Sequence, residues 1–425
     1  MPEENSSDRD LEIRIQHQVD HIVSAFAEQA TRISRVPDGE GGVNHMHAED
    51  HILVREEHVR AVHEIFNRGA DFEPGLVRRV APGVSLLQRA RGGGPTVMDA
   101  LDEIDRQLGA GVATPDHVLT VAPGTACPAT EPQEAYYETE PYPPVCAENS
   151  GAGIRVFVAD TGLLRDAESH HPWLRGVRRA YDPDGRRLQE PEPAKIVLDG
   201  TETIPPYAGH GTFVAGVIRC MAPQAEVIVS NIFNVAGSAL ESDLAAELDR
   251  ALSSGVDVLN LSISTRTRSN LGLLGFDHFR RRLQQYKGVV CIVAAGNDGS
   301  QVTTWPGGYP EMVSVGALGA DWRGRARFSN YGGWVDVYAP GRDLVNAYAT
   351  GPYECHEYPY KGDIRKFYGM ARWSGTSFST PVVTGLVAAR MSRTGETGQE
   401  AAAALVAEAR GNAVPGVGAV LLPPR

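Results

Sequence analysis

Ile15, Val19, Ile22 and Phe26 recur at i, i+4, i+7 and i+11, so a helix would carry all four on one face. The pattern predicts one amphipathic helix over residues 10 to 35, its apolar stripe docked on the rest of the chain or on a second copy. PDGEGG (37 to 42) then interrupts the periodicity and marks a boundary. From about 47 to 123 the period alternates. HILV (51 to 54) reads as a strand, and Val59, Val62, Ile65 and Phe66 as a helical face. Two short apolar stretches follow, GLVRRV and GVSLLQ. Thr96 precedes Val97, Leu101, Ile104 and Leu108, with Asp99 three positions on as an acidic variant of a capping box. HVLTVA (117 to 122) closes the unit as a strand. The order β-α-β-β-α-β predicts a small α+β module of the ferredoxin-like kind.

Residues 124 to 150 are rich in Pro and Glu and lack periodicity, which predicts an extended, exposed linker. Beyond it IRVFVAD, AEVIVSNIF, VDVLNLSI, GVVCIVAAG and MVSVGAL alternate with helical stretches such as SDLAAELDRALSSG (242 to 255). Apolar strands separated by helices predict an α/β fold, a parallel sheet covered by helices on both faces. Sites in such sheets form at the carboxyl ends of the strands. The chain is thus expected to divide into an N-terminal helix and linker (1–42), the α+β module (43–125), a Pro/Glu-rich linker (126–150) and the α/β domain (151–425).

With 425 residues, 42% of them hydrophobic and 22% charged, the chain can bury a core large enough to hold a rigid site. A net charge of -13 argues against nucleic acid or an anionic membrane as partner, because neither favours an acidic surface. Arg280, Arg281 and Arg282 are expected on a solvated helix face. The first residues, MPEENSSDRDLEIR, are polar and acidic, unlike a secretory signal, and no run of 18 apolar residues occurs. The expectation is a soluble, cytoplasmic protein. Five cysteines, an odd count without a CxxC pair, do not make a disulfide scaffold. Cys220 and Cys291 adjoin apolar runs and should be buried thiols. Cys127 and Cys146 flank the linker and could pair in an oxidising compartment.

Four residues stand where chemistry is expected. Asp160 ends IRVFVAD just before Thr161 and Gly162, although many strands end in Asp merely to cap the next helix. His210 lies in YAGHGTFVAGVI, where flanking glycines allow close backbone approach and an apolar helix follows; it is either a general base or a capping residue. Ser377 lies in WSGTSFSTPVVTGLVAAR and is expected to open a helix whose early Pro381 is tolerated near the first turn. Ser374 and Ser379 are rivals by sequence alone. Asn297, in VVCIVAAGNDG, sits in a commonplace turn, but beside a nucleophile its amide suits a developing oxyanion.

VADTGLL, GHGTFVAGV, AAGNDG and GTSFSTP, in that order, closely resemble the four signature blocks of the subtilases. HHPWL (170 to 174) and YAPG (338 to 341) are similar to smaller family segments. The resemblance spans roughly residues 135 to 425. It implies a subtilisin-like peptidase domain that hydrolyses protein or peptide substrates through an acyl-enzyme on Ser377. His210 would be base and then acid, Asp160 would orient it, and Asn297 with the Ser377 N–H would form the oxyanion hole. It also implies that Ser262, Ile263 and Ser264 border the substrate. Asp298 either favours a basic side chain before the cut or is an exposed Asp with no such role. The 43–125 module resembles the family's propeptide, an intramolecular inhibitor. No cofactor is implied for the chemistry. Family members often bind structural calcium, but no D-x-[DN]-x-[DN]-G loop occurs and no calcium ligand can be assigned. Two departures stand out: no secretory signal is visible, and residues 350 to 372 look like an insertion suited to a lid or exosite. The rival readings are a catalytically silent protease-fold binding protein and a nucleotide-binding enzyme. The second lacks any G-x-G-x-x-G or Walker A run.

Overall fold

The structure, a computed structural model, describes residues 8–39, 42–66, 72–89, 95–121, 129–136, 138–147, 150–193, 196–198, 201–286, 288–357 and 359–424. The first helix, α1 (Asp8–Glu28), ends before residue 35. Ile33 and Val36 are β-branched and Pro37 has no N–H to continue a helix. The chain there becomes β1 (Ile33–Pro37), paired with β2 (Val43–Arg55). The apolar face of α1 docks on the same chain. Val19, Ile22, Ala25 and Phe26 pack with Met46 and Val118 of the module and with Ala236 and Leu240 of the α/β part.

The module continues through α2 (Val59–Phe66), β3 (Phe72–Ala81), β4 (Val84–Arg89), α3 (Val97–Leu108) and β5 (Ala113–Thr120). The Thr96–Asp99 capping box is present in full. The strand order β5-β2-β4-β3 is that of an antiparallel ferredoxin-like sheet, with Ile52, Val54, Val62, Leu87, Leu101 and Ile104 in its core. The linker is extended but not all exposed. Glu131 is buried, accepting hydrogen bonds from Tyr353 Oη (2.8 Å) and the His356 N–H (2.7 Å), and β6 (Gln133–Glu134) joins a sheet farther on. Cys127 lies outside the described residues.

The α/β domain comprises β7 (Arg155–Asp160), α4 (Ala167–His170), β8 (Arg178–Arg179), β9 (Ile196–Leu198), β10 (Thr201–Thr203), α5 (His210–Met221), β11 (Glu226–Asn231), β12 (Ser238–Leu240), α6 (Glu241–Ser253), β13 (Val258–Leu261), α7 (Phe276–Gln285), β14 (Val290–Ala294), β15 (Val313–Leu318), β16 (Val337–Pro340), β17 (Leu344–Glu354), β18 (Ile364–Trp373), α8 (Thr376–Thr394) and α9 (Gly398–Gly411). Seven strands form one parallel sheet in the order β16-β15-β14-β13-β7-β11-β8. Cys220 and Cys291 are buried thiols within its core. The stretch from 350 to 372 is a hairpin of β17 and β18 with β6 on its outer edge. Its tip reaches α1, where Lys361 Nζ lies 3.2 Å from His17 Nε2 and the His356 ring stacks 6.0 Å from that of His21.

α5 and α8 cross closely because Gly385 has no side chain. A Cβ there would lie 2.5 Å from Met221 Cβ and 2.9 Å from the Ile218 carbonyl oxygen. Gly385→Ala gains about 1 kcal/mol of helix propensity. It loses about 1–3 kcal/mol to overpacking against backbone that no rotamer change relieves. The expected result is a lower thermal midpoint, and an unchanged or higher one would show that the helices can part freely.

Candidate active site

β7 drives an apolar run into the sheet and ends in Asp160, which is fully buried. Its Oδ1 accepts from the Thr161 N–H (2.8 Å) and lies 2.7 Å from His210 Nδ1. That contact puts the imidazole proton on Nδ1, so Nε2 is free to act as acceptor. His210 is the first residue of α5. Gly209, at φ +84°, and Gly211, where a Cβ would meet the Gly162 carbonyl oxygen at 2.4 Å, bring the helix start against the end of β7. Trp373 and Phe378 wall the ring, with centroids at 5.5 and 5.2 Å.

Ser377 is the second residue of α8 and is wholly buried. Pro381 lies inside that helix rather than in its first turn. It cannot donate to the Ser377 carbonyl, and Ser262 Oγ does so instead at 2.8 Å. Ser262 is held by Asn260 Nδ2 (3.0 Å), whose Oδ1 accepts from Thr384 Oγ1 of the same helix (2.9 Å). The proline therefore ties the serine's helix to the strand end at 260–262. Asn297 follows β14, and its Oδ1 accepts from both the N–H and Oγ1 of Thr376 at 2.9 Å. With the oxygen committed, the amide is oriented and its Nδ2 faces the other way.

The remaining predicted residues divide. The Ser262 carbonyl lies 3.3 Å from Ser377 Oγ, and Ser264 pairs with a strand described below. Ile263 is sunk in the main core. The Asp298 N–H and carboxylate both bond Asn330, at 3.0 and 3.2 Å. Burial pushes that carboxyl up while the Arg266 charge and Asn330 pull it down. Asp298 is thus held by its own domain.

The strand read from HVLTVA lies in the cleft itself. β5 pairs antiparallel with β12 on one side, and Thr120 forms a two-bond bridge with Ser264 on the other (3.1 and 3.3 Å). The Val121 N–H donates to the Gly237 carbonyl (3.0 Å), and the Val121 carbonyl lies 3.2 Å from Ser377 Oγ. The serine hydroxyl is therefore engaged by two carbonyls, not by His210 Nε2. β12 as the second wall was not foreseen; Gly237, where a Cβ would strike Tyr207 and Val121 within 2.8 Å, was the one available signal. Behind this strand Asp116 accepts from Ser242 N and Oγ at the start of α6 (3.0 and 2.7 Å). His117 Nδ1 meets Glu241 Oε2 at 2.7 Å while its Nε2 accepts the Arg268 N–H. Burial pushes His117 down to about 3 and Glu241 up. Among the described residues no set of three or more His, Cys, Asp or Glu side chains is arranged to hold a metal ion, so no calcium site is assigned. No helix among them is long and apolar enough to cross a membrane.

A buried aspartate–histidine pair, a serine at a helix start and an asparagine amide at the next strand end, all at the carboxyl edge of one parallel sheet, define a site of the Ser-His-Asp class. The model of the subtilase family matches residues 151–418, well over half of the chain. The chain belongs to the subtilase family. It is 30% identical over 283 residues to the thermophilic serine proteinase of Bacillus sp. (strain AK1), across 61% of this chain and 59% of that one. It is 30% identical over 248 residues to subtilisin Savinase of Lederbergia lenta, across 56% and 76%. The match thus spans less than two thirds of the first of these relatives. The fold is similar to that of fervidolysin from Fervidobacterium pennivorans, described as a keratinolytic enzyme related to subtilisin. The TM-score is 0.59 at 21% identity, over 91% of this chain and 61% of that one.

Proposed function

We propose that this chain is a serine endopeptidase acting on protein or peptide substrates, with Ser377 as nucleophile, His210 as general base and acid, and Asp160 orienting the imidazole. The observation that carries the reading is the seating of residues 118–121. An extended peptide lies between β12 and Ser264, with a backbone carbonyl at the serine hydroxyl. A substrate so placed would be attacked by Ser377 Oγ as His210 Nε2 takes its proton. The imidazolium is stabilised by Asp160, and the oxyanion by Asn297 Nδ2 and the Ser377 N–H. His210 then protonates the leaving amine, and water releases the acyl group. Reaction of the serine with a fluorophosphonate, together with hydrolysis of a peptide substrate, tests the reading; a chain that does neither even when the strand at 118–121 is weakened is the silent binding protein.

We infer further that residues 43–121 act as an intramolecular inhibitor, because β5 fills the cleft and turns the serine hydroxyl to carbonyls. Thr120→Pro removes the N–H given to Ser264 and cannot fit the ladder. Losing two backbone hydrogen bonds at about 0.5–1.5 kcal/mol each should raise the fluorophosphonate labelling rate of the full chain roughly tenfold. An unchanged rate would mean that the strand does not guard Ser377. Among the described residues the thiols of Cys146, Cys220, Cys291 and Cys355 are free, in keeping with a reducing compartment. A cytoplasmic location is therefore part of the proposal, checked by fractionating cells that express the full chain.

The docked module should loosen in acid. His45 is buried beside His47, His117 and Arg268, with Asp116 and Glu241 farther along the same interface. Burial first, then the neighbouring positive charges, pushes it down to about 3. The unfolded chain binds that proton near 6.5, so stability is full above pH 6.5 and falls as pH drops from 6.5 toward 3. The slope from this group is at most about 1.4 kcal/mol per pH unit. Thermal midpoints between pH 7.5 and 5 should fall less steeply in His45→Leu than in wild type, and equal slopes would discount the residue.

A further inference from the structure

Glu192 lies in the loop between β8 and β9, far in sequence from the catalytic motifs, yet it is 6% exposed. Its backbone is fixed beside β7's exit by a bond from its N–H to the Leu163 carbonyl (3.0 Å) and a bridge to Leu164. Its carboxyl faces the Thr161 hydroxyl and the Gly209 N–H, both of which draw its pKa down. Thr161 follows Asp160 directly and Gly209 precedes His210. Thr161 Oγ1 in turn accepts the Gly211 N–H at 3.0 Å. The two segments that carry the aspartate and the histidine are thus joined by the Thr161–Gly211 bond, and the Glu192 carboxyl faces both of them at Thr161 and Gly209. The second oxygen, Oε2, is buried without a hydrogen-bond partner, and the residue lines a cavity of about 220 Å³ shared with Thr161, Tyr207, Asn231 and Phe233.

We propose that Glu192 is a positioning residue for the peptidase reaction, holding the end of β7 and the start of α5 in the register that the Asp160–His210 bond requires. The inference rests on the peptidase reading above. Glycines on both sides of His210 give this helix start little side-chain packing of its own, so its position depends on hydrogen bonds. Glu192 supplies an acceptor to both segments from a third. Burial, opposed by those two bonds and reinforced by the Asp160 charge, pushes its carboxyl well above the usual range. Oε2 has no partner, so the other oxygen is the one that serves Thr161 and Gly209, and the role needs an acceptor rather than a charge. Glutamine can serve as well.

The test uses full-length chains, with turnover read in the Thr120→Pro background, where the strand holds the cleft less tightly. Glu192→Gln should keep kcat within about threefold. Glu192→Ala leaves the Thr161 hydroxyl and the Gly209 N–H without their acceptor, and misplacement of reacting groups on the ångström scale can cost roughly 10² in rate. A 10- to 100-fold fall in kcat is expected, with KM within twofold because Ser262 and Ser264 are untouched. Thr161→Val should cost a similar factor, and the double variant no more than either alone, since both break one bridge. The downfield proton resonance of His210 Nδ1–H, which needs no turnover, should persist in wild type and Glu192→Gln and be lost or broadened in Glu192→Ala. That resonance pattern in a chain without hydrolysis would remove the peptidase reading and leave the positioning role standing. The inference is overturned if Glu192→Ala keeps both kcat and resonance, or if Glu192→Gln is as impaired as Glu192→Ala.

Discussion

Ser377→Ala is expected to abolish fluorophosphonate labelling and to cut peptide hydrolysis on the order of 10⁶-fold, the scale known for loss of the nucleophile in subtilisin. The fold should survive. The hydroxyl makes two long bonds, to the carbonyls of Val121 and Ser262, and losing a typical net hydrogen bond costs about 1 kcal/mol. The rivals that sequence left open are committed elsewhere. Ser379 Oγ donates to the Thr376 carbonyl within the helix (3.1 Å), and Ser374 Oγ accepts the Asp343 N–H (2.9 Å). Their alanine variants should remain active. Labelling and turnover of all three variants, with thermal unfolding as control, decide the matter. An inactive Ser379→Ala beside an active Ser377→Ala would overturn the assignment.

Removing the Asn297 donor should lower kcat by roughly 10²–10³, about 2.7–4 kcal/mol, again the scale measured in subtilisin, with KM little changed. The donor matters only as charge develops on the carbonyl oxygen. The choice of substitution follows from the other arm of the amide. Asn297 Oδ1 accepts both the N–H and Oγ1 of Thr376. Asn297→Leu would abandon both buried donors and lose about 1–3 kcal/mol of stability as well. Asn297→Asp keeps that acceptor while removing the N–H, and its charge repels the oxyanion, so its loss in kcat should be at least as large. The measurement is kcat and KM for both variants on one peptide. If the aspartate variant keeps its kcat, or loses activity only through KM, Asn297 has no place in the oxyanion hole.

Much of this was legible before any coordinates. IRVFVAD, VDVLNLSI and GVVCIVAAG are buried in the parallel sheet, and the residues that end two of these runs lie at its carboxyl edge, because buried parallel strands need continuous apolar runs and leave polar residues to their ends. The module's element order and the Thr96–Asp99 cap were equally readable, being set by local periodicity and hydrogen bonding. Local signals were less reliable where two were in conflict. The apolar periodicity of α1 predicts a helix running past Glu28, whereas Ile33, Val36 and Pro37 favour the strand that forms there.

What the amino-acid sequence determined by itself was therefore the repeating elements and the motifs in which the candidate reactive residues stand. Both are expressed over a few consecutive positions. Only the tertiary structure decided what those residues touch. HVLTVA reads as the strand that closes the module, yet only the fold shows that all of β5 is buried, because β12 and Ser264 pair with it from a domain more than a hundred residues on. The partners of the Ser377 hydroxyl, the Ser262 bond that answers Pro381, and the bridge from Glu192 to Thr161 and Gly209 likewise join distant segments. Such contacts depend on which edges and unpaired backbone groups the folded sheet presents, and periodicity along the chain carries no record of that.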